Sequence, residues 1–482
     1  MCFGWFRGKM GLYDKRGGIG VKKIVAIFLA LGILFSATGC QVNNDTATTE
    51  PTQAITTTPS VSTPPSVTTK PEETVPDTIP EITPQETLPQ ETTPQETTPA
   101  EPEPYIPQEW SEEERQRLWT PLCESFINFR AMDMTTVICQ IPLGAELLFH
   151  KWVGQYALVT YNGRQGYVTA NYIQPLDKEY FSKRLSVVSP TTVYSYKQMI
   201  ADMAALQAAF PEKVQISSIG TSELGRDIPV MIVGNPAASK HILMQGAIHG
   251  REYLTGWLLM AIMDRSLSAN LLDENVCYHI IPIVNPDGVI ISQTQELNAL
   301  QKQIYQQDLA NSYVDIGQAE YAEQWKANAL GIDLNRNFPS GWENCNDRTA
   351  PSSSRYQGES PLCAAESKAL ADYTQSRPFD ATLSFHSHGS VLYYQYGDNG
   401  AVNQVSYQLA QAVQSQTGYV PVFEDNTPGA GYKDWAIDAL GIPSITVEIG
   451  SSQTPLENRD IYNTFSRFEG LLPAISQWIA SN

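Results

Sequence analysis

Hydrophobic residues change their spacing along the chain, and the changes divide it. Beyond residue 179, helical and strand periods alternate. Residues 199–210, 252–267, 365–374, 402–416 and 462–478 carry apolar side chains at helical intervals. Between them, the short runs 228–233, 241–248, 278–284, 381–385 and 444–448 read as strands. Strands alternating with helices predict an α/β layer fold around a largely parallel sheet. No linker interrupts residues 179–482, so they are expected to form one domain.

Residues 111–178 follow a different pattern. Short strand-like runs stand at 126–130, 146–152, 156–161 and 166–168. Asn162-Gly163 lies between the last two, and two residues that tolerate positive φ make a strong hairpin signal. The strings Ile127-Asn128-Phe129-Arg130, Gly144-Ala145-Glu146-Leu147, Tyr161-Asn162-Gly163-Arg164-Gln165-Gly166-Tyr167-Val168 and Asn171-Tyr172-Ile173 resemble the bacterial SH3-like domain. That resemblance implies a small β-barrel. In exported hydrolases such modules bind cell-wall peptides or pack beside the catalytic domain.

The first 110 residues carry no folding pattern. Arg7, Lys9, Lys15, Arg16, Lys22 and Lys23 precede an apolar run at 24–35, shorter than the roughly 20 residues a membrane span needs. The run ends in Ser36-Ala37-Thr38-Gly39 before Cys40. This resembles a lipoprotein export signal, with Ala37 where Leu is commoner. It implies removal of residues 1–39 and a lipid anchor on Cys40; without lipidation the protein would be secreted. Residues 40–110 are rich in Thr, Pro, Glu and Gln and repeat Pro-Gln-Glu-Thr at 84–87, 89–92 and 94–97. They cannot bury enough apolar surface to fold, and their acidity suits an extended spacer.

Charge and cysteines narrow the class further. The net charge is −20, which argues against nucleic acid as a partner, because its binding depends on clustered Lys and Arg. An exported setting permits disulfides, and the near pairs Cys123 with Cys139 and Cys345 with Cys363 are candidate bridges. Cys277, inside an apolar run, is expected to act as a small buried hydrophobe.

Three predicted strands end in chemistry. Strand 241–248 leads to His249-Gly250-Arg251-Glu252, strand 381–385 to His386-Ser387-His388, and strand 444–447 to Glu448. Ligand sites of α/β sheets lie beyond such carboxyl ends. Two His and one Glu are a ligand set for catalytic zinc, with a fourth position for water. His388 would point to the opposite face of a continued strand; His150, His241 and His279 lie within strands and read as structural.

Asn285-Pro286-Asp287-Gly288 and Asp333-Leu334-Asn335-Arg336-Asn337-Phe338 fall between these motifs. The full order resembles the zinc carboxypeptidase family of the carboxypeptidase A and B kind. That resemblance implies an α/β/α sandwich with a mixed eight-stranded sheet, one zinc held by His249, Glu252 and His386, and cleavage beside a free carboxylate. Glu448, off the metal, would be the general base. Arg336 and Asn335 would clamp the terminal carboxylate, and Arg251 would line the substrate side.

Two family features are missing. An upstream Arg that would stabilise the oxyanion is replaced by Trp325-Lys326-Ala327-Asn328, where Lys326 is the substitute. No Tyr occurs at 423–430, where many members carry one, and neighbouring Tyr432 is not expected to replace it.

Gly431-Tyr432-Lys433-Asp434-Trp435 resembles bacterial members that cut γ-D-glutamyl-meso-diaminopimelate in peptidoglycan stem peptides. Lys433 is expected to read a second carboxylate on the leaving residue. The alternatives are a general carboxypeptidase for acidic terminal residues and an inactive wall-binding protein.

Overall fold

Seven short strands come first: β1 (Leu118–Pro121), β2 (Phe126–Arg130), β3 (Val137–Pro142), β4 (Leu147–Val153), β5 (Tyr156–Tyr161), β6 (Arg164–Thr169) and β7 (Ile173–Pro175). All pair antiparallel, in the order β3-β2-β6-β5-β4-β1-β7. Asn162 and Gly163, at φ 45° and 75°, turn β5 into β6 as their pairing predicts. Ile127, Phe129, Ile141, Leu147, Val159 and Val168 fill a core of their own. His150 is occupied by Thr160 Oγ1 at 2.7 Å.

The computed structural model describes residues 103–122, 126–423, 429–450 and 453–481, all within one compact unit. The expected signal peptide, Cys40, most of the spacer and Cys123 lie outside the described residues.

A polar seam joins the small sheet to the rest. Arg467 is fully buried there, where it donates to Asn463 Oδ1 (2.6 Å), to the Thr417 carbonyl (2.6 Å) and to the Gly154 carbonyl between β4 and β5 (2.9 Å). Asn171 spans Asp460 (2.9 Å) and Asn463 (2.7 Å). A buried guanidinium held through all three of its nitrogens has little freedom to slide, so the seam fixes the register between the two parts.

The second sheet holds β8 (Val214–Thr221), β9 (Asp227–Gly234), β10 (Lys240–Gln245), β11 (Val276–Ile281), β12 (Ala381–Ser387), β13 (Val391–Tyr393), β14 (Val420–Val422) and β15 (Ser444–Ile449). Its order is β14-β13-β15-β12-β10-β11-β9-β8. The central block β11-β10-β12-β15 is parallel. Antiparallel partners flank it, β9 on β11 and β13 on β15, and the short loop 222–226 joins β8 to β9 as a hairpin. The sheet is therefore mixed, as the resemblance implies, and less parallel than the alternating pattern alone predicts.

Side chains along the central strands alternate between two cores, one per face. Ile242, Met244, Tyr278, Ile280, Leu383, Phe385, Ile445 and Val447 enter one, and Leu243 and Ile281 the other. One residue past Phe385 and Val447, this alternation puts His386 and Glu448 together on the second face.

Three expectations change. The last helix is two, Asn458–Phe468 and Leu471–Ala480, because Pro473 can occupy only a first turn. β10 stops at Gln245, before the expected end. The bridge expected between Cys345 and Cys363 is not formed: buried Cys345 donates its thiol to the Gly429 carbonyl (3.2 Å), while exposed Cys363 accepts from Asn337 (3.3 Å). Cys277 is fully buried, as expected.

Candidate metal centre

β10 ends early because the chain must turn toward the site. Ala247 takes φ 47° and donates its N–H to Thr255 Oγ1 (2.8 Å), and His249 then starts the 3-10 turn Gly250–Glu252. A turn of that kind puts residues three apart side by side. His249 Nδ1 lies 2.9 Å from Glu252 Oε1. His386 arrives from β12, its Nδ1 3.1 Å from Glu252 Oε2 and 3.3 Å from His249 Nδ1. All three side chains are buried.

Burial opposes the charge on Glu252, yet His249, His386 and Lys326 outweigh it and hold the carboxyl well below its usual range. Burial likewise disfavours a charged His249, and Glu252 with Asp333 reverses that, raising its pKa. An ionised carboxylate and two imidazoles converging in a closed site fit zinc, whose ligands are of these types.

Asp333, at the start of the Asp333–Phe338 string, backs the metal centre, a position its sequence context does not reveal. Its Oδ1 lies 3.2 Å from His249 Nε2, which directs Nδ1 to the metal side. Oδ1 also accepts the Asn335 N–H (3.2 Å), and Oδ2 accepts the Arg355 N–H (2.8 Å). Asn285 is a second such residue. It caps the helix Pro286–Thr294 through Gly288 N (2.9 Å), and its amide donates to the carbonyls of Ile248 (3.2 Å), Lys326 (3.2 Å) and Ala327 (3.0 Å). That ties the His249 turn to the Lys326 segment. Gly250 and Gly288 meet backbone to backbone, where a Cβ on Gly250 would stand 2.4 Å from the Gly288 carbonyl.

A cavity of about 280 Å³ opens beside His249, lined by Arg251, Gln324, Lys326, Asp333, Arg336, Ser354 and Arg355. Arg251 donates to Gln324 Oε1, and burial lowers its pKa. Lys326 Nζ approaches Glu252 Oε1 to 3.7 Å. Arg336 donates to the Asn335 carbonyl (2.8 Å), and Asn335 Oδ1 accepts the Tyr432 N–H (3.0 Å), which leaves Nδ2 for a substrate. Glu448, half-buried on β15, is the register partner of His386 on β12.

Lys433 does not join this group. It is buried on the helix Tyr432–Asp438, and its ammonium donates to Asp434 Oδ1 and the Gln395 carbonyl, both at 2.6 Å. The charge expected to meet a leaving-group carboxylate is already paired. Tyr432 is fully buried with its hydroxyl 3.0 Å from Thr374 Oγ1, away from the cavity. Exposed His388 sits 3.1 Å from Thr454 Oγ1, outside the donor cluster.

A sequence model described as zinc carboxypeptidase matches residues 199–474. Over 279 residues the chain is 33% identical to gamma-D-glutamyl-L-diamino acid endopeptidase 1 of Lysinibacillus sphaericus, covering 55% of this chain and 67% of that one. Over 261 residues it is 26% identical to carboxypeptidase B of Bos taurus, covering 50% of this chain and 58% of that one. The antiparallel sheet β1–β7 lies outside the residues matched by the family model.

Proposed function

The chain belongs to the zinc carboxypeptidase family, and on that premise we propose that it hydrolyses the γ-D-glutamyl-meso-diaminopimelate bond of peptidoglycan stem peptides. The observation that carries this reading is the charge of the cavity. Arg251, Lys326, Arg336 and Arg355 line it with one carboxylate, Asp333, whose oxygens are already engaged, while Glu252 at the metal side lies 3.7 Å from Lys326. Such a site favours a substrate with several carboxylates, which a stem peptide has and most peptides lack. The Lysinibacillus relative, named for cleavage between a glutamyl and a diamino acid residue, supports the same choice.

Zinc, when held by His249, Glu252 and His386, lowers the pKa of a water to about 7 and polarises the scissile carbonyl. Glu448 takes the proton of the attacking water and passes it to the leaving amine. Lys326 neutralises the oxyanion as it forms. Arg336 and Asn335 hold the carboxylate beside the scissile bond. The cell wall is the setting we read for this chemistry: a lipid on Cys40 anchors the protein outside the cytoplasm, the acidic tract spaces it, and β1–β7 act as an SH3-like module toward wall peptides.

A hydrolysis panel tests the proposal. L-Ala-γ-D-Glu-meso-diaminopimelate should be cut at the γ-glutamyl bond far faster than α-linked peptides ending in Glu, Leu or Lys. Preference for an α-linked acidic terminus would replace it with a general carboxypeptidase, and inertness toward every peptide with zinc bound would replace it with a wall-binding role.

A further inference from the structure

Lys326 and Arg336 take part in the proposed reaction, and Arg355 does not. This residue lies on a segment pinned at three points. The Ser353 carbonyl accepts the N–H groups of Lys326 (3.0 Å) and Ala327 (2.9 Å), the Arg355 N–H donates to Asp333 (2.8 Å), and the Tyr356 carbonyl accepts the Asp333 N–H (2.8 Å). Arg355 itself has φ 67°, a conformation that nothing but its surroundings maintains in a residue other than Gly. The base of the side chain is thus fixed to both Asp333 and Lys326, while Arg355 is exposed and lines the cavity. Among the described residues it has no carboxylate within ion-pair distance, unlike Lys433 with Asp434.

The helix Tyr432–Asp438 begins against Asn335 and contributes no lining residue, whereas Arg336 and Arg355 both line the cavity. Arg251 is held by Gln324 and Lys326 lies near Glu252, so with Arg336 assigned to the carboxylate of the leaving half, Arg355 is the cation left for the acyl half. In a γ-linked glutamyl residue the side-chain carboxyl forms the scissile amide, so the α-carboxylate stays free on that half. An α-linked residue has no such group at that place.

We infer that Arg355 is a specificity residue that binds the free α-carboxylate of a γ-linked acyl residue, so that the enzyme distinguishes this carboxylate from its carboxamide. The inference rests on the proposed γ-glutamyl substrate and adds the group that recognises it. A planar guanidinium can meet a carboxylate with two parallel hydrogen bonds, whereas a carboxamide offers one acceptor and turns a donor toward it.

Two substrates with the same diaminopimelate leaving residue provide the test, one with γ-D-glutamate and one with its α-carboxamide. Wild type should favour the carboxylate by about 10- to 100-fold in kcat/KM, mostly through KM. Arg355→Gln should bring that ratio close to one, and Arg355→Lys should keep part of it, with zinc content measured in both to confirm that the Asp333 contact survives. If wild type ignores both γ-linked substrates, the proposed substrate falls and the inference with it. If wild type cleaves them with a preference that Arg355→Gln leaves in place, the inference alone is overturned.

Discussion

Asp333 Oδ1 stands 3.2 Å from His249 Nε2, and this contact selects the nitrogen that the imidazole turns toward the metal. The ring has two nitrogens, and a carboxylate behind one of them fixes both the tautomer and the orientation. Asp333→Asn should therefore lower zinc affinity by about 10- to 100-fold. Competition with a chromophoric chelator measures it. Unchanged affinity would mean that Asp333 serves only to hold the Arg355 segment.

Glu448 faces His386 across the β12–β15 pairing without belonging to the donor cluster. Removing its charge should therefore spare the metal and remove the base. Glu448→Gln is expected to bind one zinc per chain while kcat falls by several orders of magnitude. Metal analysis alongside single-turnover hydrolysis separates the two effects, and near-normal turnover would take Glu448 out of the mechanism.

His386 and Glu448 were legible in the sequence because each continues a strand whose period of two announces which face it serves. Phe385 then His386, and Val447 then Glu448, show the rule in adjacent strands. Position along the chain conveyed less about groups that act through space. Asp333 reaches His249 from 84 residues away, and Asn285 gathers carbonyls from two segments. For Lys433 the charge was legible and its direction was not: Asp434 is the next residue, and the helix that begins at Tyr432 folds the ammonium back onto it. Arg355 showed no pattern at all, since its backbone is placed by Asp333.

That pairing makes a prediction about Lys433. Both partners are about nine-tenths buried, so Lys433→Met would strand the Asp434 carboxylate in a poor environment. The expected cost is roughly 3 kcal/mol of stability, read from urea midpoints. Efficiency on leaving residues with and without a second carboxylate should fall together. A loss confined to the dicarboxylic residue would restore Lys433 as the group that reads it.

His279 is buried on β11, with its Nδ1 2.7 Å from the Tyr373 hydroxyl, and its Nε2 3.0 Å from His241 Nδ1 and 3.6 Å from Cys277 Sγ. Burial first, then the Arg377 cation and His241, push its pKa down to about 3 from the usual 6.5. Burial also pushes Cys277 up to about 11 and Tyr373 up to about 12, so both stay neutral in acid. Below pH 6.5 the unfolded chain takes up a proton at this position that the folded protein refuses until about pH 3. Stability from the neutral ring is thus complete above pH 6.5 and is lost as pH falls through that window, by up to about 1.4 kcal/mol per pH unit. His279→Asn cannot bind that proton in either state, so its stability should fall less steeply with acid, even if it starts lower. Urea midpoints at pH 7, 5.5 and 4 decide it, and equal slopes in the two proteins would place the acid-sensitive group elsewhere.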